Sequence, residues 1–173
     1  MNRKQNVYLQ NPAGHQINID LLQEFERGLN PASPSESKIA ARILGYGEIS
    51  TVFEIQVEGF RGLALKRISI FKTLEEIEKH LAAYQEYSRL LEEEIGVCLP
   101  INGYAAVFTD TGRPILYIIQ KMLPSGWLAH NVLHALPAEE VPFLVKRILR
   151  ELRKVWDFNN RRSGLQVAID GQL

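Results

Sequence analysis

The sequence contains a single cysteine, Cys98, among its 173 residues. One cysteine cannot form an intramolecular disulfide or supply a cysteine-type metal cluster, so a reducing compartment is the expected setting. No apolar run approaches the roughly eighteen residues of a membrane span, and no apolar stretch of signal-peptide length follows the basic residues of the N-terminus. We therefore expect a cytoplasmic protein without a membrane span.

The chain also lacks an excess of either charge, because 20 Lys and Arg residues balance 20 Asp and Glu residues. Such a balance creates no overall field that attracts nucleic acid, and we expect no nucleic-acid partner. Internal repeats and low-complexity tracts are missing as well. The hydrophobic content of 46% is typical of a globular core.

Three stretches have the period of an amphipathic helix. Apolar residues recur at intervals of three and four over residues 72–96 and 137–160, and a shorter pattern covers residues 19–31. Five short runs rich in β-branched and aromatic residues, separated by turns, predict antiparallel strands. These runs are residues 41–47, 50–57, 62–71, 101–110 and 114–123.

The order of these elements predicts an α+β fold, in which a five-stranded antiparallel sheet packs against one long helix and a helical segment follows. We interpret residues 1–39 as an N-terminal extension with a short helix. We expect residues 40–123 to form a sheet-containing lobe and residues 124–173 to form a helical segment that follows it.

The first candidate motif is the turn between the first two strands, from Gly45 to Val52. Backbone N–H groups can approach a phosphate closely there, because Gly45 and Gly47 carry no side chain. Ser50 stands where the pattern G-x-G-x-x-G has its third glycine. A β-hairpin turn that merely needs glycine is the alternative explanation.

The second candidate motif is Leu63-Ala64-Leu65-Lys66 on the third strand, fourteen positions after Val52. The small side chain of Ala64 leaves room for a planar base against the sheet, and the ammonium group of Lys66 is suited to phosphate. A solvent-facing lysine on an edge strand is the alternative.

In order and spacing these motifs resemble the signature set of the protein-kinase-like superfamily, which includes small-molecule phosphotransferases such as the aminoglycoside enzymes. The resemblance covers about residues 43–170. It implies that the sheet-containing lobe binds ATP through the glycine-rich loop and Lys66, and that this lobe passes into the first helices of a second lobe. The resemblance does not indicate the phosphoryl acceptor.

The resemblance also assigns residues further along the chain. Glu86, twenty positions beyond Lys66, falls about where the family has the glutamate that pairs with this lysine. The backbone of Gln120 to Met122 would contact adenine, and Ile119 would guard the back of the pocket. Other acids of the same helix compete with Glu86, namely Glu75, Glu76, Glu78, Glu92, Glu93 and Glu94.

The second lobe departs from the family's pattern. Asp170 matches the catalytic aspartate of H-R-D-x-x-x-x-N, but Ala168 and Ile169 replace its His and Arg, and neither the metal-binding Asn nor D-F-G is found. A different register makes Asp170-Gly171 the D-F-G equivalent, with Asp157 or Asn159 upstream. An ordinary Asp-Gly turn is the third explanation.

We therefore expect this chain to be the ATP-binding portion of a phosphotransferase and to be inactive by itself. We expect magnesium to bind only if further residues supply its ligands. A pseudokinase or interaction module on the same scaffold is the alternative, and an unrelated α+β domain is a third. Apolar side chains of the final helix and the connector before it are expected to lack cover, which predicts a homodimer through that helical surface. These side chains are Trp127, Leu128, Val132, Leu133, Val145, Leu149 and Trp156.

Overall fold

A computed structural model describes residues 9–12 and 14–169 of the protein. Within this part the chain forms six strands and four α-helices. The strands are β1 Leu9–Gln10, β2 Ala41–Tyr46, β3 Ser50–Ile55, β4 Leu63–Ile68, β5 Asn102–Phe108 and β6 Pro114–Lys121. The helices are α1 Ile19–Gly28, α2 Leu74–Arg89, α3 Ala129–Ala135 and α4 Val141–Arg161.

The strands form one sheet in the order β1-β5-β6-β4-β3-β2, and all neighbours are antiparallel. Strands β2 to β6 confirm the expected α+β class and the five-stranded antiparallel sheet. The two-residue strand β1 adds to the edge of β5, a pairing that the sequence pattern did not predict. Strands β4 and β6 lie at the centre of the sheet.

Helix α1 covers one face of this sheet. The side chain of Asn18 caps its first turn by accepting a hydrogen bond from the Leu21 N–H at 3.1 Å. Leu22 and Phe25 are fully buried against side chains of the sheet. The Phe25 ring meets Phe53 of β3 edge to face, with centroids 6.0 Å apart.

Two side-chain hydrogen bonds cap the start of helix α2. The Thr73 hydroxyl accepts a hydrogen bond from the Glu76 N–H, and the Glu76 carboxylate accepts one from the Lys72 N–H. The helix continues as a π-helical turn over Leu90–Ile95 and stops at Gly96, whose φ of 77° is left-handed. The expected helix over residues 72–96 is therefore confirmed, with a wider last turn than the helical period suggested.

The chain divides into two compact units. The first comprises the described residues up to Leu81 together with Pro100–Met122, and the second comprises Ala82–Leu99 with the described residues from Leu123 onward. In the second unit, Val155 and Phe158 of α4 are buried against Leu90, Leu91 and Ile95. None of the helices in the described residues has the length and apolar character of a membrane span.

Candidate functional site

The sheet brings the first two candidate motifs together on one face. Register pairs Gly45 with Val52, Val52 with Lys66, and Lys66 with Ile118. Residues directly opposite one another in antiparallel strands share a face. Gly45, Val52, Lys66 and Ile118 therefore form one row across four strands, on what we call the lysine face.

Ala64 also lies on the lysine face, two residues before Lys66 on the same strand. Ala64 pairs with Gln120 of β6, and Gln120 pairs in turn with Asn102 of β5, so these three residues form a neighbouring row. Ala64 is buried, whereas Lys66 is exposed. No ion pair among the described residues of the first unit includes Lys66. The basic side chains that form ion pairs there are Arg27, Lys38, Arg42, Arg67 and Lys79.

His80 of α2 lies close enough to Lys66 for the charge of the lysine to affect the pKa of the imidazole. Its half-buried ring contacts the Phe71 ring at a centroid distance of 5.2 Å. Burial, followed by the positive charge of Lys66, lowers the pKa of His80 below its ordinary value of 6.5. No sequence pattern distinguished this histidine from the other three.

The lowered pKa of His80 predicts a pH effect on stability. The unfolded chain binds a proton at this histidine more readily than the folded chain does, so stability present above about pH 6.5 is lost as the pH falls. Denaturant unfolding measures the free energy of unfolding at pH 8 and at pH 5.5. Between these two pH values it should fall more in the natural protein than in His80→Gln. Equal losses in the two proteins would contradict this assignment.

The glycine-bearing turn is a tight hairpin. The Gly47 N–H donates to the Ser50 carbonyl oxygen at 2.8 Å, and a Cβ atom on Gly47 would lie 2.8 Å from the Ser50 hydroxyl. Ser50 is nearly buried, so it fills the space beneath Gly47. A Cβ atom added to Gly45 would have no neighbouring atom within 4 Å, so the surface above Gly45 is open.

A depression of about 320 Å³ lies beside this turn, on the side of β4 that carries Arg67. Neither Lys66 nor Ala64 lines it. Its walls are formed by Tyr46, Gly47, Glu48, Ile49, Ser50, Thr51, Arg67, Ser69 and Ile70.

The end of β6 differs from the expected adenine-contacting arrangement in two respects. Ile119 pairs with Leu65 and packs in the core on the α1 side of the sheet, so Ile118 rather than Ile119 shares a face with Lys66. The Met122 N–H donates to the Gly62 carbonyl oxygen at 2.8 Å. Gln120 is half-buried on the lysine face.

Glu86 belongs to the second unit and is exposed. Its carboxylate accepts two hydrogen bonds from Arg89, at 2.8 and 2.9 Å. These bonds lower the pKa of Glu86. Glu86 thus has a cationic partner one turn away on its own helix, and its pairing with Lys66 stays a prediction.

A buried ionic network lies on the opposite face of the sheet, which the sequence patterns did not reveal. The Arg67 guanidinium donates two hydrogen bonds to Glu26 of α1, at 2.7 and 2.9 Å, and the Tyr117 hydroxyl donates a third at 2.6 Å. Burial and the charge of Glu26 raise the pKa of Tyr117 well above its ordinary value. Burial acts to lower the pKa of Arg67, but Glu26 outweighs it and the pKa is raised.

Asp170, the candidate catalytic residue, lies outside the described residues. No group of three His, Cys, Asp or Glu side chains suited to a metal ion occurs in the part of the chain that the structure describes. The exposed ammonium group on the lysine face suits an anion better than a cation.

No protein-family model, curated protein or solved structure matches this chain. The candidate site therefore rests on the motifs and on the geometry of the lysine face.

Proposed function

We propose that the lysine face binds the phosphates of a nucleotide, with ATP as the expected ligand, on a scaffold of the kinase-like kind. The observation that carries the proposal is the row formed by Gly45, Val52, Lys66 and Ile118. It places an exposed ammonium group and an open glycine on the same face of the sheet, two strands apart with Val52 between them. A phosphate needs both a cation and a backbone free of side chains for close approach.

The neighbouring row supports a position for the base. Ala64 and Gln120 are directly opposite each other on the same face. A methyl side chain leaves more space against the sheet than any larger residue, and the Gln120 amide offers a donor and an acceptor. The base would therefore lie over Ala64, toward the end of β6.

The hairpin geometry limits the expected affinity. Because the Gly47 N–H is engaged by Ser50, one of the amides that a glycine-rich loop would offer to phosphate is already used inside the protein. We expect dissociation constants in the high-micromolar to millimolar range, which corresponds to roughly 4–6 kcal/mol of binding free energy.

Replacement of Lys66 tests the proposal. Calorimetric titration with ATP should show Lys66→Met weakening binding by about tenfold or more, because the exposed cation in the same row as the open glycine is lost. Lys79→Met is the matched control: Lys79 is exposed and paired with Glu75 on α2, and its loss should leave the affinity unchanged.

Two results would contradict the nucleotide proposal. One is no heat with millimolar ATP, with or without magnesium, for the natural protein. The other is an equal loss of affinity in Lys66→Met and Lys79→Met, which would indicate nonspecific attraction of the anion. Phosphate release above background would instead show that the chain catalyses transfer by itself.

An interaction module without catalysis is the second candidate function. The connector and α4 leave large apolar side chains exposed, as the sequence predicted, including Trp127, Leu149 and Trp156. Leu128 and Val132, which were expected to be exposed with them, are half-buried. The exposed side chains favour a role in binding another protein, including a second copy of this chain.

A further inference from the structure

Helix α4 carries more apolar surface than its own unit uses. Val155 and Phe158 are buried in the core of the second unit. A separate stripe along the helix is exposed, with exposed fractions of 40%, 57%, 37% and 69%. It consists of Val145, Leu149, Leu152 and Trp156, and we call it the outer stripe.

The spacing of the outer stripe indicates the shape of its occupant. Its members are separated by four, three and four residues, the pattern of the a and d positions of a heptad. At about 100° per residue they cover an arc of only about 60°. A narrow stripe of this kind is typical of a seam between two helices, whereas a helix lying on a membrane needs a much wider apolar face.

Part of the outer stripe borders a shallow, open depression of about 330 Å³. The residues that line this depression are Leu149, Leu152, Arg153, Trp156 and Asp157. A side chain from a facing helix can insert into such a depression, as knobs insert into holes in helical pairs.

The charges of α4 indicate the chemistry of the partner. The helix carries six basic residues, Lys146, Arg147, Arg150, Arg153, Lys154 and Arg161, against two acidic ones, Glu151 and Asp157. Both acids already have basic neighbours, since Glu151 lies 2.5 Å from Lys154 and Asp157 lies 3.7 Å from Arg153. The surface on one side of the outer stripe is therefore positive.

We propose that the outer stripe of α4 binds an acidic amphipathic helix of a partner protein. Helical spacing places Lys146 and Arg153 on the same edge of the outer stripe, seven residues apart. Acidic side chains at the flanking positions of a partner helix would face these two cations, while its apolar side chains pack on Leu149 and Leu152.

A second copy of the chain fits the charges less well. Antiparallel two-fold pairing of α4 about the middle of the outer stripe sets Lys146 of each copy opposite Arg153 of the other. This arrangement brings two pairs of like charges together along one edge of the seam, which destabilises the pair. An acidic helix has no such conflict.

Two synthetic helical peptides test the proposal on the full chain. Both carry leucine at the seam positions, and they differ only in having Glu or Lys at the flanking positions. Fluorescence anisotropy should show the Glu peptide binding about tenfold or more tightly than the Lys peptide, with the difference shrinking as salt is added. The charge-reversal variant K146E/R153E should invert this preference.

Controls separate docking from folding. Leu149→Asp should abolish binding of both peptides while circular dichroism stays unchanged, because the side chain is exposed. Arg61→Glu, an exposed charge change in the first unit, should leave the preference for the Glu peptide intact.

Any of four outcomes would overturn the proposal. Equal affinity for both peptides, or a preference that K146E/R153E does not change, would remove the charge argument. Sedimentation that shows a dimer, dissolved by Leu149→Asp, would assign the outer stripe to self-association. Binding to phosphatidylserine vesicles, with neither peptide bound, would assign it to a lipid surface.

Discussion

Glu26→Ala is expected to lower the free energy of unfolding of the first unit by about 3–5 kcal/mol. Glu26 is 5% exposed and accepts three hydrogen bonds, two from Arg67 and one from Tyr117. Its removal leaves a largely buried guanidinium and a fully buried hydroxyl without their acceptor. Urea unfolding followed by circular dichroism measures the loss.

Glu24→Ala is the matched control for this prediction. Glu24 lies on the same helix, but its ion pair with Lys38 is exposed, so its loss should cost less than about 1 kcal/mol. The double replacement Glu26→Leu with Arg67→Met should cost less than Glu26→Ala alone, since no charge is then left unpaired. A loss for Glu26→Ala no larger than that for Glu24→Ala would show that the network does not stabilise the unit.

The second large effect is expected at Gly103 of β5. A Cβ atom there would lie 2.4 Å from both Cδ and N of Pro12 and 2.5 Å from the Gln10 carbonyl oxygen. No side chain can occupy that space unless the segment around β1 moves away. Gly103→Ala should therefore cost about 1–3 kcal/mol and separate β1 from β5.

Hydrogen exchange of the segment around Gln10, together with urea unfolding, measures both consequences of Gly103→Ala. Gly45→Ala serves as the control, because Gly45 is also a strand glycine but has no atom within 4 Å of its Cβ direction. Unchanged exchange and stability in Gly103→Ala, matching Gly45→Ala, would refute the close approach. Gly45→Ala should still weaken nucleotide binding, which separates the structural role of one glycine from the proposed ligand contact of the other.

The helices α1, α2 and α4 and the strands β2 to β6 were predictable from the sequence. Their signals are local: apolar residues recur at the helical or strand period, and capping residues or glycines mark the ends. The weak elements were missed for the same reason. Helix α3 has only seven residues and no side-chain cap, and β1 has only two residues, which its pairing with β5 holds in place.

The sequence alone identified Gly45, Val52, Ala64 and Lys66 as candidates, because their spacing along the strands carries the resemblance. Which residues face them was decided by strand register, and a shift of one residue exchanges the two faces. The sequence did not show that Ile118, rather than Ile119, lies beside Lys66. Nor did it show that the Met122 N–H is engaged by Gly62.

The Glu26 network and the contact at Gly103 were settled only by the tertiary structure. Glu26 is 41 positions from Arg67 and 91 from Tyr117, and no local pattern encodes a pairing over such distances. A glycine inside a strand does signal close backbone approach, but it does not say which segment approaches. The sequence thus determined the elements and the chemistry of their side chains. Packing decided which of those side chains meet, because burial and register act between segments far apart in the chain.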